Sequence, residues 1–267
     1  MTSAALPSFG LRNPDAAGGR SRHAGIGGWG ATANADAKQA RHPLARFALF
    51  AQTPDAMLEM VARGMQRHRF KVGERLWATG TVASHINLIV SGIVEIERTR
   101  RSGDGVVLGL FGPGESVGLP AALSGAHYPA DARAVSGEAD VLQVRAPGVL
   151  QLMHQHLPLA LAINHALLKH NAALQASLEI VGAGTVPKRL AALFLFLGRR
   201  FGRRDGAGVL HIELTLTREQ IGRLVSARVE TVIRVISRWQ KAGWMKSTRD
   251  GIEISRVDML QRMADAG

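Results

Sequence analysis

The strongest constraint on this chain is a change of texture along it. Across residues 66–144, short β-like runs (86–90, 93–97, 106–111 and 141–144) alternate with turn signals at Gly73, Ser91-Gly92, Gly103-Asp104-Gly105 and Pro113-Gly114. Short strands at regular spacing predict a β-barrel or sandwich. After Pro147 the pattern turns helical. Pro158 suits a helix N-terminus, where a missing N–H costs nothing. The helix it opens runs to about Val181, and Gly182 and Gly184 stop it. A chain patterned this way folds a sheet domain first and carries a helical one behind it, an α+β class.

The flanks fit that division. Residues 1–40 are rich in Ala, Gly, Ser and Asn and lack the apolar content to offset chain entropy, which predicts a disordered tail. Gly25, Gly27 and Gly30 fall in a G-x-G-x-x-G spacing. No strand precedes them and no helix follows, so the match is one of chance. Residues 42–64 read as helical, with Pro54 and Asp55 opening a segment that puts Met57, Leu58 and Val61 on one face.

The long helix carries Ile163, Leu167, His170, Leu174, Ser177 and Val181 at alternating spacings of four and three, a ragged heptad seam. Two readings stand. The stripe packs on the chain's own barrel, or it is a dimer seam in which polar His and Ser specify register. The second is preferred at this level.

Charge narrows the choice of partner. The net charge is +12, and residues 185–267 hold 16 Lys and Arg against 8 Asp and Glu, a surplus of 8 in less than a third of the chain. A basic surplus points to a polyanion, nucleic acid above all. There is no cysteine, which excludes disulfides, thiolate catalysis and cysteine-ligated iron–sulfur clusters. No apolar run reaches membrane-spanning length and the N-terminus lacks a signal core, so a cytoplasmic address with no membrane partner is expected.

The chemistry-bearing segment is residues 214–254. After a helix opened by Thr185 and Pro187 and a loop rich in Arg (Arg199, Arg200, Arg203, Arg204), Thr217 and Gln220 form a capping box for a short helix over 218–225. Ser226-Ala227-Arg228 makes a turn, and a second helix runs over 229–241 to Gly243. Two short helices joined by a tight turn form a helix-turn-helix, whose second helix enters the DNA major groove N-terminal end first. Val232, Val235, Ile236 and Trp239 face inward, while Glu230, Ile233 and Arg234 project outward. Arg bonds bidentately to guanine and Glu accepts from cytosine, and an aliphatic side chain suits a thymine methyl. The base-reading set is therefore Val229, Glu230, Ile233 and Arg234. Taken alone, Glu230 and Arg234 are also an ordinary i, i+4 ion pair. Asp250-Gly251 between short β runs predicts a hairpin wing. Thr217, Arg218, Arg228 and Thr231, with Lys246, Ser247, Thr248 and Arg249 of the wing, are the candidate phosphate contacts.

The order of parts resembles the Crp/Fnr superfamily of bacterial regulators. The resemblance is carried by the segments Leu216-Thr217-Arg218-Glu219-Gln220-Ile221-Gly222 and Val229-Glu230-Thr231-Val232-Ile233-Arg234. It is supported by Gly73-Glu74, Ser91-Gly92, Phe111-Gly112-Pro113-Gly114-Glu115 and Tyr128-Pro129-Ala130 with Arg133-Ala134. The resemblance implies a jelly-roll sensor like a cyclic-nucleotide-binding domain, a long dimerisation helix and a winged helix-turn-helix. It implies a homodimer on a palindromic DNA site, with RNA polymerase as a further partner. The expected limits are tail 1–40, sensor 41–156, dimerisation helix and hinge 157–184, and DNA-binding domain 185–267. Glu230 and Arg234 match the family's base-reading pair. Val229 stands where the cyclic-AMP branch has Arg, which implies the Fnr-like TTGA half-site. Ile233 replaces a Ser frequent in that branch.

The sensor departs from the cyclic-AMP pattern. Where that branch has Gly-Glu-Leu and Arg-Ser to hold ribose and phosphate, this chain reads Gly118-Leu119-Pro120 and Tyr128-Pro129. Leu and Pro cannot supply charge-assisted bonds, so no cyclic-AMP dependence is expected. The cysteine-ligated cluster of the Fnr branch is impossible here. Either the barrel takes no small ligand, or it responds to haem or gas, with His127 beside the Tyr-Pro stretch as the candidate axial ligand. The competing class is a cupin-like metal enzyme with a basic appendage. Such a site needs converging His and carboxylate side chains, and residues 66–144 offer only the scattered His68, His85 and His127.

Overall fold

The computed structural model describes residues 42–99 and 105–265. The expected tail, with its three spaced glycines, and the Gly103-Asp104 part of one turn lie outside the described residues.

A short 3₁₀ turn, Pro43–Arg46, and helix α1 (Asp55–Ala62) lead into the sheet domain. Strands β1 (Gln66–Phe70), β2 (Arg75–Trp77), β3 (His85–Thr99), β4 (Gly105–Phe111), β5 (Ser116–Val117) and β6 (Asp131–Arg145) form one antiparallel six-stranded sheet. Its path is β1-β6-β3-β4, with β2 added on β6 and β5 on β3. The barrel expected from the sequence is corrected in one respect: β1 and β4 end the path without pairing to each other, so the sheet is open. Register shifts between Ile89 and Val94 break the long β3–β6 ladder, and such bulges bend a strand pair. Helices α2 (Leu119–Ser124) and α3 (Ala146–Met153) complete this domain. Its core holds Phe47, Phe50, Leu58, Ile86, Leu88, Val94, Leu119 and Val144.

Helix α4 spans Leu157–Gly182. Four residues of its predicted dimer seam, Ile163, Leu167, His170 and Ser177, face the chain's own sheet domain. Ile163 is buried in the sheet-domain core and Leu167 packs against that core. His170 Nε2 donates to the Ser116 carbonyl at 2.7 Å, and Ser177 Oγ donates to the Leu108 carbonyl at 3.1 Å. Strand β4 ends the sheet path. Its outward carbonyls lack a neighbouring strand, and Ser177 satisfies one of them. The polar residues that read as register devices for a dimer therefore cap a sheet edge. Val181 is half-buried and Leu174 is exposed.

The third part begins with α5 (Val186–Phe201), followed by β7 (Gly202–Arg204) and β8 (Leu210–Ile212). Then come α6 (Arg218–Leu224), α7 (Val229–Lys241), β9 (Met245–Ser247), β10 (Ile252–Ile254) and α8 (Val257–Asp265). The short strands form a four-stranded sheet in the order β7-β8-β10-β9. The arginine-rich stretch read as a loop is in part a strand, and Arg203 pairs with Glu213. Phe194 of α5 meets Trp239 of α7 edge to face, and Trp239 stacks on Trp244.

The second core does not stop at the domain limit. Ile93, Val107, Leu110 and Val135 of the first sheet join Ile180 and the apolar residues of α5, α6 and α7. Around this junction lies a group of charges. Arg223 of α6 reaches Glu95 at 3.1 Å and Glu97 at 3.5 Å, and Arg133 reaches Glu97 at 3.3 Å. Glu95 is fully buried, and burial pushes its carboxyl above the usual range despite the opposing pull of Arg223. Gln220 donates to the Val135 carbonyl beside it.

The packing has two measurable consequences. Burial holds the His170 imidazole below its ordinary pKa. The unfolded chain then takes up a proton below about pH 6.5 that the native state resists, so His170 makes stability fall as pH drops from there towards its native pKa. Urea titrations from about pH 7 to pH 5 should show a shallower decline in His170→Gln, which removes the titrating group. Separately, a Cβ on Gly222 would stand 2.9 Å from the Ala227 carbonyl oxygen, a backbone atom in the turn. Gly222→Ala should cost about 1–3 kcal/mol in urea denaturation, the scale of an overpacked interior.

Candidate nucleic-acid interface

The segment of interest is built on local rules. Thr217 caps α6: its hydroxyl accepts from Gln220 N at 3.1 Å, and the Gln220 side chain accepts from Thr217 N at 2.6 Å. Two otherwise orphaned N–H groups are thereby satisfied. The turn into α7 places Ser226 at φ +48°, the left-handed region that costs a non-glycine residue about 1–2 kcal/mol. Arg189 of α5 helps hold it there, with Nη1 3.3 Å from the carbonyls of both Val225 and Ser226 and Nε 2.8 Å from that of Gly184. One side chain thus joins the hinge after α4 to the turn of the helix-turn-helix.

Helix α7 starts where the sequence placed it and buries Val232, Val235, Ile236 and Trp239. The opposite face is open. Glu230, Ile233 and Arg234 are exposed, Ile233 to 47%, and Val229 is half-buried at the first turn. The simple ion pair between Glu230 and Arg234 does not form, and neither has a protein partner among the described residues. A charged pair four residues apart, pointing to solvent with its bonding capacity unused, is the arrangement that base-edge recognition requires.

The phosphate candidates divide into two groups. Arg228 and Arg249 are exposed without protein partners among the described residues, Thr248 is exposed, and Thr231 is half-buried in the first turn of α7. The others are engaged within the protein. Arg218 donates to Ser247 Oγ at 2.9 Å, tying α6 to the wing, and Lys246 pairs with Glu253 at 2.7 Å across the β9–β10 hairpin. Sequence reasoning missed Arg238 and Lys241, exposed in the last turn of α7, although their spacing from Arg234 gave the signal. It also missed the apolar face of α4. Leu157, Leu161, Leu168 and Leu178 are exposed, from 54% to 74%. The signal was present, since a helix with leucines on every side needs partners on every side.

In the sheet domain, Leu119 and Tyr128, of the segments Gly118-Leu119-Pro120 and Tyr128-Pro129 where the sequence departs from the cyclic-AMP pattern, are packed into the core. Leu119 is fully buried, and Tyr128 stacks on Trp77 with ring centroids 4.2 Å apart and donates to the His85 carbonyl at 2.9 Å. The Tyr128 ring lies 2.8 Å from where a Cβ on Gly118 would stand. His127 is exposed and makes an isolated bridge with Val82. Among the described residues no three His, Asp or Glu side chains are grouped as a metal site requires.

Comparison with known proteins agrees with this layout. The Cyclic nucleotide-binding domain family matches residues 67–156, and the Crp-like helix-turn-helix domain family matches residues 188–263. The CRP-like cAMP-activated global transcriptional regulator of Mycobacterium tuberculosis is 27% identical over 227 residues, covering 83% of this chain and 98% of that one. The fumarate and nitrate reduction regulatory protein of Escherichia coli K12 is 27% identical over 201 residues, covering 72% and 76%. Among solved structures, FixK2 from Bradyrhizobium japonicum superposes with a TM-score of 0.66 at 20% identity, covering 76% of this chain and 98% of that one. A CRP-family regulator from Thermus thermophilus gives 0.61 at 22%, covering 74% and 96%. The sheet domain, the long helix and the winged helix-turn-helix, together with the two family matches, place this chain in the Crp/Fnr family of transcriptional regulators.

Proposed function

We propose that this regulator acts as a homodimer on a palindromic, TTGA-type DNA site and does so without cyclic AMP. The observation that carries the reading is the unpartnered Glu230, Ile233 and Arg234 face of α7. Arg228, Thr231, Thr248 and Arg249 flank it as phosphate contacts, Arg218 and Ser247 hold the wing against α6, and Lys246 is engaged within the wing on Glu253. Dimerisation uses the exposed leucines of α4 rather than the stripe through Ile163 and His170. A dimer would bury them and place two reading helices about 34 Å apart, one turn of DNA.

Independence from cyclic AMP is supported by Leu119 and Tyr128, neutral side chains standing where the resemblance implies a carboxylate and an Arg-Ser pair, the first fully buried and the second stacked on Trp77. RNA polymerase is the further partner the family resemblance implies, and the cytoplasm is the proposed location. No helix of the described residues is long and apolar enough to cross a membrane. The cupin-like enzyme reading finds no supporting group of ligands among the described residues.

Fluorescence anisotropy of the ligand-free protein on a TTGA palindrome against a scrambled duplex, at fixed salt, tests the reading. Preference for the palindrome supports it, and equal binding to both removes the half-site assignment. Arg234→Ala should cost about 1–3 kcal/mol on the specific site and relax its preference, whereas Arg249→Ala should weaken all duplexes alike and reduce the salt slope by about one. Leu168→Glu with Leu178→Glu should give a folded monomer by light scattering. A dimer that survived both substitutions would refute the assigned face.

A further inference from the structure

A cleft of about 430 Å³ opens between the segment after the 3₁₀ turn, the β4–β5 connection and the first half of α4. It shares none of the residues Gly118, Leu119, Pro120, Tyr128 or Pro129. The volume is within the range of small-molecule sites. Leu49, Leu88, Phe111 and Ala166 give it apolar walls. Its polar groups are unequal. Glu115 is already neutralised, since both its carboxylate oxygens accept from Arg200 Nη2 at 2.8 Å and one also accepts from Gly112 N at 2.7 Å. Lys169 and His165, one helical turn apart on α4, also line the cleft, and neither has a protein partner among the described residues. The uncompensated charge facing the cleft is therefore positive.

We infer that this cleft is an effector site for an amphipathic monocarboxylate, with the acyl or aryl body against Leu49, Leu88 and Phe111 and the carboxylate on Lys169. Charge complementarity selects an acid over a neutral lipid, because a carboxylate gains a charge-assisted bond there that an alcohol lacks. The wall of the cleft is also the joint to the DNA head. The Arg200 guanidinium of α5 lies 5.4 Å from the Phe111 ring centroid as well as on Glu115, and α5 carries the Phe194 that meets Trp239 in the reading helix. A ligand that moves Phe111 or Glu115 therefore has a different binding energy for different positions of the head, which is the requirement for an effector. This coupling rests on the DNA-binding reading above, whereas the site itself does not.

The test uses the full-length protein and dodecanoate as the probe. Isothermal titration calorimetry should give saturable binding at one per chain, with dodecanol at least about tenfold weaker, a difference of one charge-assisted bond. Ala166→Trp, which fills the cleft, should abolish binding, and exposed Lys169→Glu should weaken it about tenfold with thermal unfolding unchanged. No saturable binding, dodecanol binding equally well, or binding indifferent to both substitutions overturns the site. In the DNA anisotropy assay dodecanoate should shift affinity in the wild type and not in the double variant Glu115→Gln with Arg200→Met, which removes the joint without leaving a carboxylate uncompensated in the cleft and still binds the acid. A shift that persists in the double variant overturns the coupling route while leaving the calorimetric result to stand separately.

Discussion

The pairing of Arg223 with Glu95 is the contact on which the arrangement of the molecule turns. A fully buried carboxylate is expensive unless an opposite charge and further hydrogen bonds compensate it. Here the compensating charge comes from the first helix of the helix-turn-helix, and Glu97 and Arg133 extend the pair into a group of four. One Glu95 oxygen and the Arg133 Nε have no protein partner, so the group is only partly satisfied. Such a contact holds α6 in one place because no sliding of it keeps both charges paired. Gln220, on the Val135 carbonyl, and the apolar residues shared across the junction add to the same constraint. The face of α7 away from this contact is left to solvent.

Helix α4 divides its circumference among separate tasks. One side packs on the sheet through Leu159, Ile163 and Ala173, and a neighbouring flank walls the cleft with His165, Ala166 and Lys169. Leu157, Leu168 and Leu178 lie outside both. This explains why the helix has so little amphipathic contrast in sequence: it is apolar wherever it meets protein, and it meets protein on more than one side. The sheet, the cleft and the exposed leucines are thus linked through a single rigid element.

Much of this was legible in the residues, and for identifiable reasons. The Thr217–Gln220 capping box and the limits of α7 were readable because caps and a 3.6-residue period are local properties. The outward set Glu230, Ile233 and Arg234 followed from the same period. The stripe of α4 was legible as a stripe but not as to its partner. A heptad pattern records that something packs there, and the carbonyls of Leu108 and Ser116 that accept from Ser177 and His170 belong to a different part of the chain. The β7–β8 hairpin was obscured by arginines whose side chains point to solvent from strand positions. The Glu95–Arg223 pair spans 128 residues of sequence and leaves no periodic trace. Nor does the cleft, whose walls come from four separated stretches of the chain.

The two hydrogen bonds from α4 to the sheet have a mechanical meaning. His170 and Ser177 stand two helical turns apart, and each is committed to one carbonyl of the sheet domain. Together they act as two pins through one shaft. Axial travel of α4, or a roll about its axis, would displace both at once, so the helix and the sheet domain are fixed to each other as far as Ser177. Beyond both pins the helix ends at Gly182, and Gly184, at φ +88°, turns the backbone away from the helical path.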